Sequence, residues 1–211
     1  MRIGIFSAKG GVGKTTFSIN FASALIEFGK NPLLIDTDLN NSLSISLGLL
    51  NFTSSLSKVL NFETNVNNSI YITPSSLKVL PAGEEFLNFK NFELALNEIN
   101  NFDYIIIDTE PGLNEKNLEI ARLCNENFLI TLPETTSIYA LMRTINFFEK
   151  ENIKISGVIV NRFNKRSIDP KEIFDVTGIP ILAVLPEEQK ISKSLMNGIP
   201  YVFLEPVSYT H

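Results

Sequence analysis

Short apolar runs alternate along this chain with segments whose apolar positions recur at helical spacing. Arg2 to Phe6 reads as a first strand. Phe17, Phe21, Ala24, Leu25 and Phe28 then fall on one helical face, and Gly29 stops the helix. Leu33 to Ile35 is a buried strand, Val79-Leu80 a weaker one, and Phe86 to Ile99 has a helical period. Asp103 to Asp108 is apolar without alternation between its two acids, the signature of a parallel strand covered on both faces. Phe128 to Leu132 and Ile155 to Val160 are further strands, separated by a helix carrying Ile138, Leu141, Met142, Ile145 and Phe148. Asp169-Pro170 opens another helix as N-cap and N1, and Gly178 closes it. Ile179 to Leu185 is a last strand, followed by a short helix through Leu195. The alternation predicts an α/β fold: a doubly wound, mostly parallel sheet with helices on both faces. No linker, repeat or composition break divides residues 1–211, so one domain is expected. The apolar Tyr201 to Leu204 reads as an edge strand or packed tail.

Composition removes whole classes of chemistry. There is one cysteine, Cys124, in what reads as a helical segment, and one histidine, His211. An internal disulfide, a Cys/His zinc site and a Cys-ligated cluster within one chain are excluded. The net charge of -5 argues against nucleic acid as a default partner. Arg162, Lys165, Arg166 and Lys171 form the densest basic stretch and read as a solvated loop, with direct DNA binding left as the alternative. No apolar run spans a membrane, and Met1 to Phe6 leads into a strand without a signal peptide, so a cytoplasmic protein is expected. Val207 to His211 is too short for a C-terminal membrane helix.

The chemistry concentrates in Ser7-Ala8-Lys9-Gly10-Gly11-Val12-Gly13-Lys14-Thr15-Thr16, between the first strand and the first helix. Backbone N–H groups can converge on phosphate oxygens only where no side chain intervenes, hence the glycines. The helix N-terminus adds partial positive charge. In such a loop Lys14 sits on the β- and γ-phosphates, the Thr15 hydroxyl ligates Mg²⁺ and Thr16 reaches the α-phosphate. Two strand tips supply acids: Asp36 and Asp38 after the second strand, and Asp108 after Tyr104 to Ile107.

The loop departs from the usual phosphate-loop pattern, with Ala8 where glycine is usual and an additional Lys9. In this it resembles the deviant Walker A of the MinD/ParA family of P-loop ATPases. The likeness continues through Leu34 to Asp38, Leu77 to Gly83, Ile105 to Gly112, Leu132 to Ser137, Asn161 and Pro186. It implies ATP and Mg²⁺ as cofactors and an ATP-dependent homodimer. Lys9 then reaches the partner's nucleotide, and Lys9, Lys14 and Asp38 are catalytic, with Asp38 positioning the attacking water. Gly10, Gly11, Val12, Gly13, Lys14, Thr15 and Thr16 cradle the phosphates, and Asn161, Arg162 and Pro186 serve the base. Thr15 ligates Mg²⁺ directly, and Asp36 and Asp108 act through water. Asn161 without a following Lys-x-Asp favours adenine. Two segments depart from the family: Leu39-Asn40-Asn41 replaces the frequent Pro-Gln-Gly, and Glu110 stands where Pro is usual. The implied function is a nucleotide switch, stimulated by an activator protein, that positions a division site, flagella, a plasmid or other cargo. The alternative is a metal or Fe–S insertion ATPase of the same superfamily, for which Cys124 offers one thiolate per subunit.

Overall fold

The structure, a computed structural model, describes residues 1–83 and 89–204. In chain order the strands are β1 (Arg2–Phe6), β2 (Pro32–Asp36), β3 (Tyr71–Ile72), β4 (Lys78–Leu80), β5 (Tyr104–Asp108), β6 (Glu126–Thr131), β7 (Gly157–Phe163) and β8 (Ile181–Pro186). The helices are α1 (Lys14–Glu27), α2 (Ser42–Ser46), α3 (Leu56–Leu60), α4 (Phe92–Glu98), α5 (Glu115–Leu123), α6 (Thr135–Lys150), α7 (Pro170–Thr177), α8 (Gln189–Met196) and α9 (Tyr201–Leu204). The residues form two compact units.

One unit comprises residues 1–14 and 109–188. Its strands lie in the order β1-β6-β7-β8, every neighbouring pair parallel. Ile3, Ile5 and Phe6 of β1 are buried, and the Phe6 ring meets Phe148 of α6 edge-on at 5.1 Å. The predicted caps are in place. Asp169 accepts a hydrogen bond from the Lys171 N–H at 2.7 Å, and Gly178 closes α7 at φ 68°, a conformation that costs a residue with a Cβ. Asn114 caps α5 in the same way, accepting from the Asn117 N–H at 2.8 Å. Cys124 is not helical: it follows α5 in an extended conformation, because the chain must turn there into β6.

The other unit comprises the described residues within 15–108 and residues 189–204. Its strands lie in the order β3-β4-β2-β5, with β4, β2 and β5 parallel and the two-residue β3 antiparallel at the edge. All five residues of β2 are buried, as are Ile105 to Asp108 of β5, so the unalternating apolar runs do mark strands covered on both faces.

Several boundaries differ from the sequence reading. Within Phe86 to Ile99 the regular helix is Phe92–Glu98, preceded by a 3₁₀ turn at Phe89–Asn91, and residues 86–88 lie outside the described ones. β7 begins at Gly157, two residues later than expected. Tyr201 to Leu204 is a short helix rather than an edge strand. Pro200 presets a helical φ, the Phe203 N–H bonds to the Pro200 carbonyl, and the Val202 N–H is taken by the Asn20 side chain at 3.2 Å. The Val207 to His211 stretch lies outside the described residues. Among the described residues no helix is long and apolar enough to cross a membrane.

Gly157 fixes how closely β8 approaches β7. A Cβ there would lie 2.8 Å from the Pro180 carbonyl and 2.4 Å from the Leu182 side chain. Gly157→Ala is expected to lower stability by about 1–3 kcal/mol, as overpacking does. Urea unfolding of the two proteins measures it, and an unchanged midpoint would contradict the tight approach.

Candidate functional site

The glycine loop of the first unit is held by its own backbone and by few side chains. The Ser7 hydroxyl donates to the Lys9 carbonyl at 2.5 Å and accepts from the Lys9 N–H at 3.1 Å, tightening the first bend. The Gly112 N–H bonds the Ser7 carbonyl, and the Thr109 hydroxyl donates to the Ile5 carbonyl at 2.6 Å, so the segment after β5 is tied to β1 and the loop. Gly13 has φ 98°, and a Cβ there would stand 2.4 Å from Asn161 Nδ2. Nothing larger than glycine fits while Asn161 donates to the Val12 carbonyl at 2.8 Å. Lys14 follows, 7 % exposed.

Asn161 and Arg162, expected at the base end, lie at the tip of β7, and the Arg162 backbone takes the left-handed region at φ 55°. The Asn161 Oδ1 accepts from the Arg162 N–H at 3.0 Å. Pro186 ends β8 in register with Phe163, so Asn161, Arg162 and Pro186 share one end of the sheet. Beside them opens a cleft of about 350 Å³ lined by Pro133, Glu134, Arg162, Arg166 and Glu187 among others. Lys165, Arg166 and Lys171 are exposed, as the reading of a solvated loop requires.

Lys9 makes contacts that spacing did not foretell. Its ammonium donates to Glu134 Oε1 at 2.5 Å, Thr136 Oγ1 at 3.0 Å and Ser137 Oγ at 3.1 Å. These bonds from Lys9 and Ser137 hold the exposed Glu134 carboxyl below its usual range. Glu110 bonds Lys116 Nζ at 2.8 Å and Asn114 Nδ2 at 2.9 Å. Asn117 supports the same turn, donating to the Glu110 and Gly112 carbonyls.

The second unit gathers the acids. Asp36 and Asp108 are register neighbours at the tips of the parallel β2 and β5, with 0 % and 1 % exposure. Asp108 Oδ2 accepts from the Thr15 hydroxyl at 2.6 Å and its Oδ1 from Ser18 at 3.0 Å. Thr37 completes the joint, its N–H and hydroxyl both bonding the Asp108 carbonyl. Asp36 accepts from the Asp38 N–H at 3.0 Å and the Leu43 N–H at 3.2 Å. Burial, and then the charge of Asp108, push the Asp36 carboxyl up to about 8. Asp38 is half-buried, its carboxylate closing a local turn on the backbone and side-chain N–H groups of Asn40. Asn41 takes φ 52°, a backbone conformation that asparagine tolerates, and its side chain exchanges hydrogen bonds with Gly83 at 2.8 and 3.1 Å. Thr16 is half-buried on α1.

These residues suit Mg²⁺. Among the described residues no three His, Cys, Asp or Glu side chains converge. A buried pair of carboxylates, one of them bonded to a threonine hydroxyl, with waters and phosphate oxygens as the remaining ligands, is a donor set this cation takes. Burial and then the Asp108 charge raise Asp36, and a cation would relieve the second of these. Ser18 and Thr37 were not singled out from sequence. Ser18 could have been, since it lies three residues after Thr15 on the same helix face.

Residues 3–201 match the model of the CobQ/CobB/MinD/ParA nucleotide binding domain. The septum site-determining protein MinD of Synechocystis sp. is 30% identical over 219 residues, 97% of this chain and 82% of that protein. MinD of Pyrococcus horikoshii, solved in complex with Mg-ADP, superposes with a TM-score of 0.87 at 31% identity, over 98% of this chain and 89% of that one. The MinC:MinD complex of Aquifex aeolicus contains a chain matching at TM-score 0.88 and 30% identity, over 97% of this chain and 88% of that one. The expected doubly wound, mostly parallel α/β fold is therefore the one this chain adopts.

The Asp36 carboxyl ionises at 3.8 in its ordinary state and at about 8 in the folded chain. Between those values the folded protein keeps a proton that the unfolded chain releases, so this group makes stability fall as pH rises. In chelator and without nucleotide, Asp36→Asn is expected to flatten the fall of Tm between pH of about 5 and 8. Parallel slopes for the two proteins in differential scanning calorimetry would contradict it.

Proposed function

Since the chain belongs to the CobQ/CobB/MinD/ParA nucleotide-binding family, we propose that it is an ATP-dependent homodimerisation switch that hydrolyses ATP to ADP and serves spatial positioning or partitioning. The observation that carries this reading is the part-buried hydrogen bond from the Thr15 hydroxyl to Asp108, after a loop that admits only glycine at residue 13. Residues 1–211 act as one nucleotide-binding domain in the cytoplasm. The backbone of Gly10 to Gly13 and the side chains of Lys14, Thr15 and Thr16 hold the phosphates, with Lys14 as the point charge. Thr15 would hold Mg²⁺ directly and Asp36 and Asp108 would hold its waters; the cation would supply charge neutralisation on the phosphates. Asp38 orients the attacking water, and Asn161, Arg162 and Pro186 serve the base.

Lys9 completes the partner's site in the dimer, where a cation near the transferred phosphoryl group supplies transition-state stabilisation. MinD occurs in complex with MinC in Aquifex aeolicus, and a partner or activator protein is proposed here by analogy. Glu110, bonded to Lys116 and Asn114, has no place in this scheme. The alternative of metal or Fe–S insertion is disfavoured by Cys124, whose thiol burial pushes up to about 12, far from the thiolate a soft metal needs. DNA binding has no support beyond the basic loop.

Asp38→Ala is expected to accumulate as a dimer with ATP, read by light scattering after size exclusion, while the wild type returns to monomer as ADP forms. Lys14→Ala should lose ATP turnover by about 10²-fold or more. A wild type with no turnover, or an Asp38→Ala protein that stays monomeric with saturating ATP, would overturn the reading.

A further inference from the structure

The backbone of Asp38 is held from both sides. Its N–H donates to Asp36 Oδ1 at 3.0 Å, and its carbonyl accepts from the Asn41 N–H at 2.8 Å, closing a turn over residues 38–41. Asn41 is itself buried and tied down, its side chain donating to the Leu39 carbonyl at 3.0 Å and exchanging hydrogen bonds with Gly83. The freedom left to Asp38 is rotation of its carboxylate, and Asn40 removes it. The backbone N–H and the side-chain Nδ2 of Asn40 both donate to Asp38 Oδ1, at 3.0 and 2.8 Å. We infer that Asn40 is a positioning residue for hydrolysis: it fixes the Asp38 carboxylate so that Oδ2 is the oxygen presented to the attacking water. This rests on the role given to Asp38 in the proposed function.

Three physical features support this role. The first is acceptor capacity. A carboxylate has about four acceptor positions, two on each oxygen. Asn40 fills both positions of Oδ1, so a water that bonds Asp38 is directed to Oδ2. A carboxylate held in one rotamer meets that water without first having to turn, and such orientation is worth rate. The second is charge. The Asn40 amide is neutral, so it orients the carboxylate while leaving its negative charge to draw the protons of the water. A lysine or arginine in the same place would offset that charge. The third is the division of labour between neighbours. Asn41 is buried, takes the left-handed backbone and carries the tie to Gly83, so the shape of the turn depends on it. Asn40 is exposed and lies outside the core, so its side chain can be changed while the turn stands. The departure from the family pattern at Leu39-Asn40-Asn41 therefore supplies one residue that builds the turn and one that aims the acid within it.

Turnover of Mg-ATP by the full chain tests this. Asn40→Ala keeps the backbone donor and loses the side-chain one. It is expected to lower kcat roughly 3- to 10-fold, the range for a hydrogen bond to a charge that water can reach. KM for ATP should stay within about 2-fold, since the bond acts on the chemical step. Asn40→Asp, the same shape with a charge in place of the donor, should lower kcat further by repelling Asp38. Asn40→Ser restores a short donor and is expected to recover part of the loss. In single turnovers with protein in excess, adding Asn40→Ala to Asp38→Ala should change the rate by less than about 2-fold, because the group that Asn40 aims is gone. Asn41→Ala is the structural comparison, expected to lower Tm where Asn40→Ala leaves it in place. An unchanged kcat in Asn40→Ala, an equal loss in the Asp38→Ala background, or a loss confined to KM or Tm would overturn the positioning role. A wild type without turnover, or turnover that survives Asp38→Ala, would overturn the role of Asp38 and this inference with it. Those two measurements leave Asn40 intact, so the two failures are told apart.

Discussion

A single buried carboxylate organises the strand tips of the second unit. Asp108 takes hydroxyl hydrogen bonds from Thr15 and Ser18 on its two oxygens, and its carbonyl takes the N–H and hydroxyl of Thr37. One residue thereby joins the first turn of α1 to the tip of β5 and to the segment leaving β2. The arrangement has a cost. Asp36 lies beside Asp108 in register with both out of water, and burial, followed by the Asp108 charge, pushes its carboxyl up to about 8. Two acids packed this way are poor for stability and good for receiving a cation. Such strain between acids is tolerated in a fold because the surrounding hydrogen bonds over-determine it.

The first unit holds the glycine loop in shape with few side chains. Its loop is shaped by neighbours that bond backbone to backbone or reach in with a short side chain: Ser7 on Lys9, Gly112 on Ser7, Thr109 on Ile5, Asn161 on Val12. The unusual Glu110 is absorbed by the same logic. Lys116 neutralises it and Asn114 bonds it, so an additional acid is accommodated beside the loop without disturbing the turn that Asn117 supports.

What was legible in the sequence was what local chemistry decides. The unalternating runs of β2 and β5 marked strands covered on both faces, since only burial on both sides makes every position apolar. Asp169, Pro170 and Gly178 marked the ends of α7 because capping and left-handed closure act within a few residues. The departure at Leu39-Asn40-Asn41 was visible as a departure, but its resolution was not. Asn41 adopts a left-handed backbone, and its side chain finds Gly83, forty-two residues away. Tyr201 to Leu204 was misread because four apolar residues carry no period, and the partner that takes the Val202 N–H is Asn20, far away in sequence.

The sequence by itself determined the fold class, the family and the order of the phosphate loop and acidic tips, because glycine spacing, strand-end acids and apolar periodicity are local consequences of residue type. Only the tertiary structure decided which groups meet. That Asp36 and Asp108 share a register, that desolvation pushes the Cys124 thiol up, and that Lys9 rests on Glu134 each depend on residues dozens of positions apart. Electrostatics and desolvation act through space, so charge and burial at a site can be assigned only once the chain has closed around it.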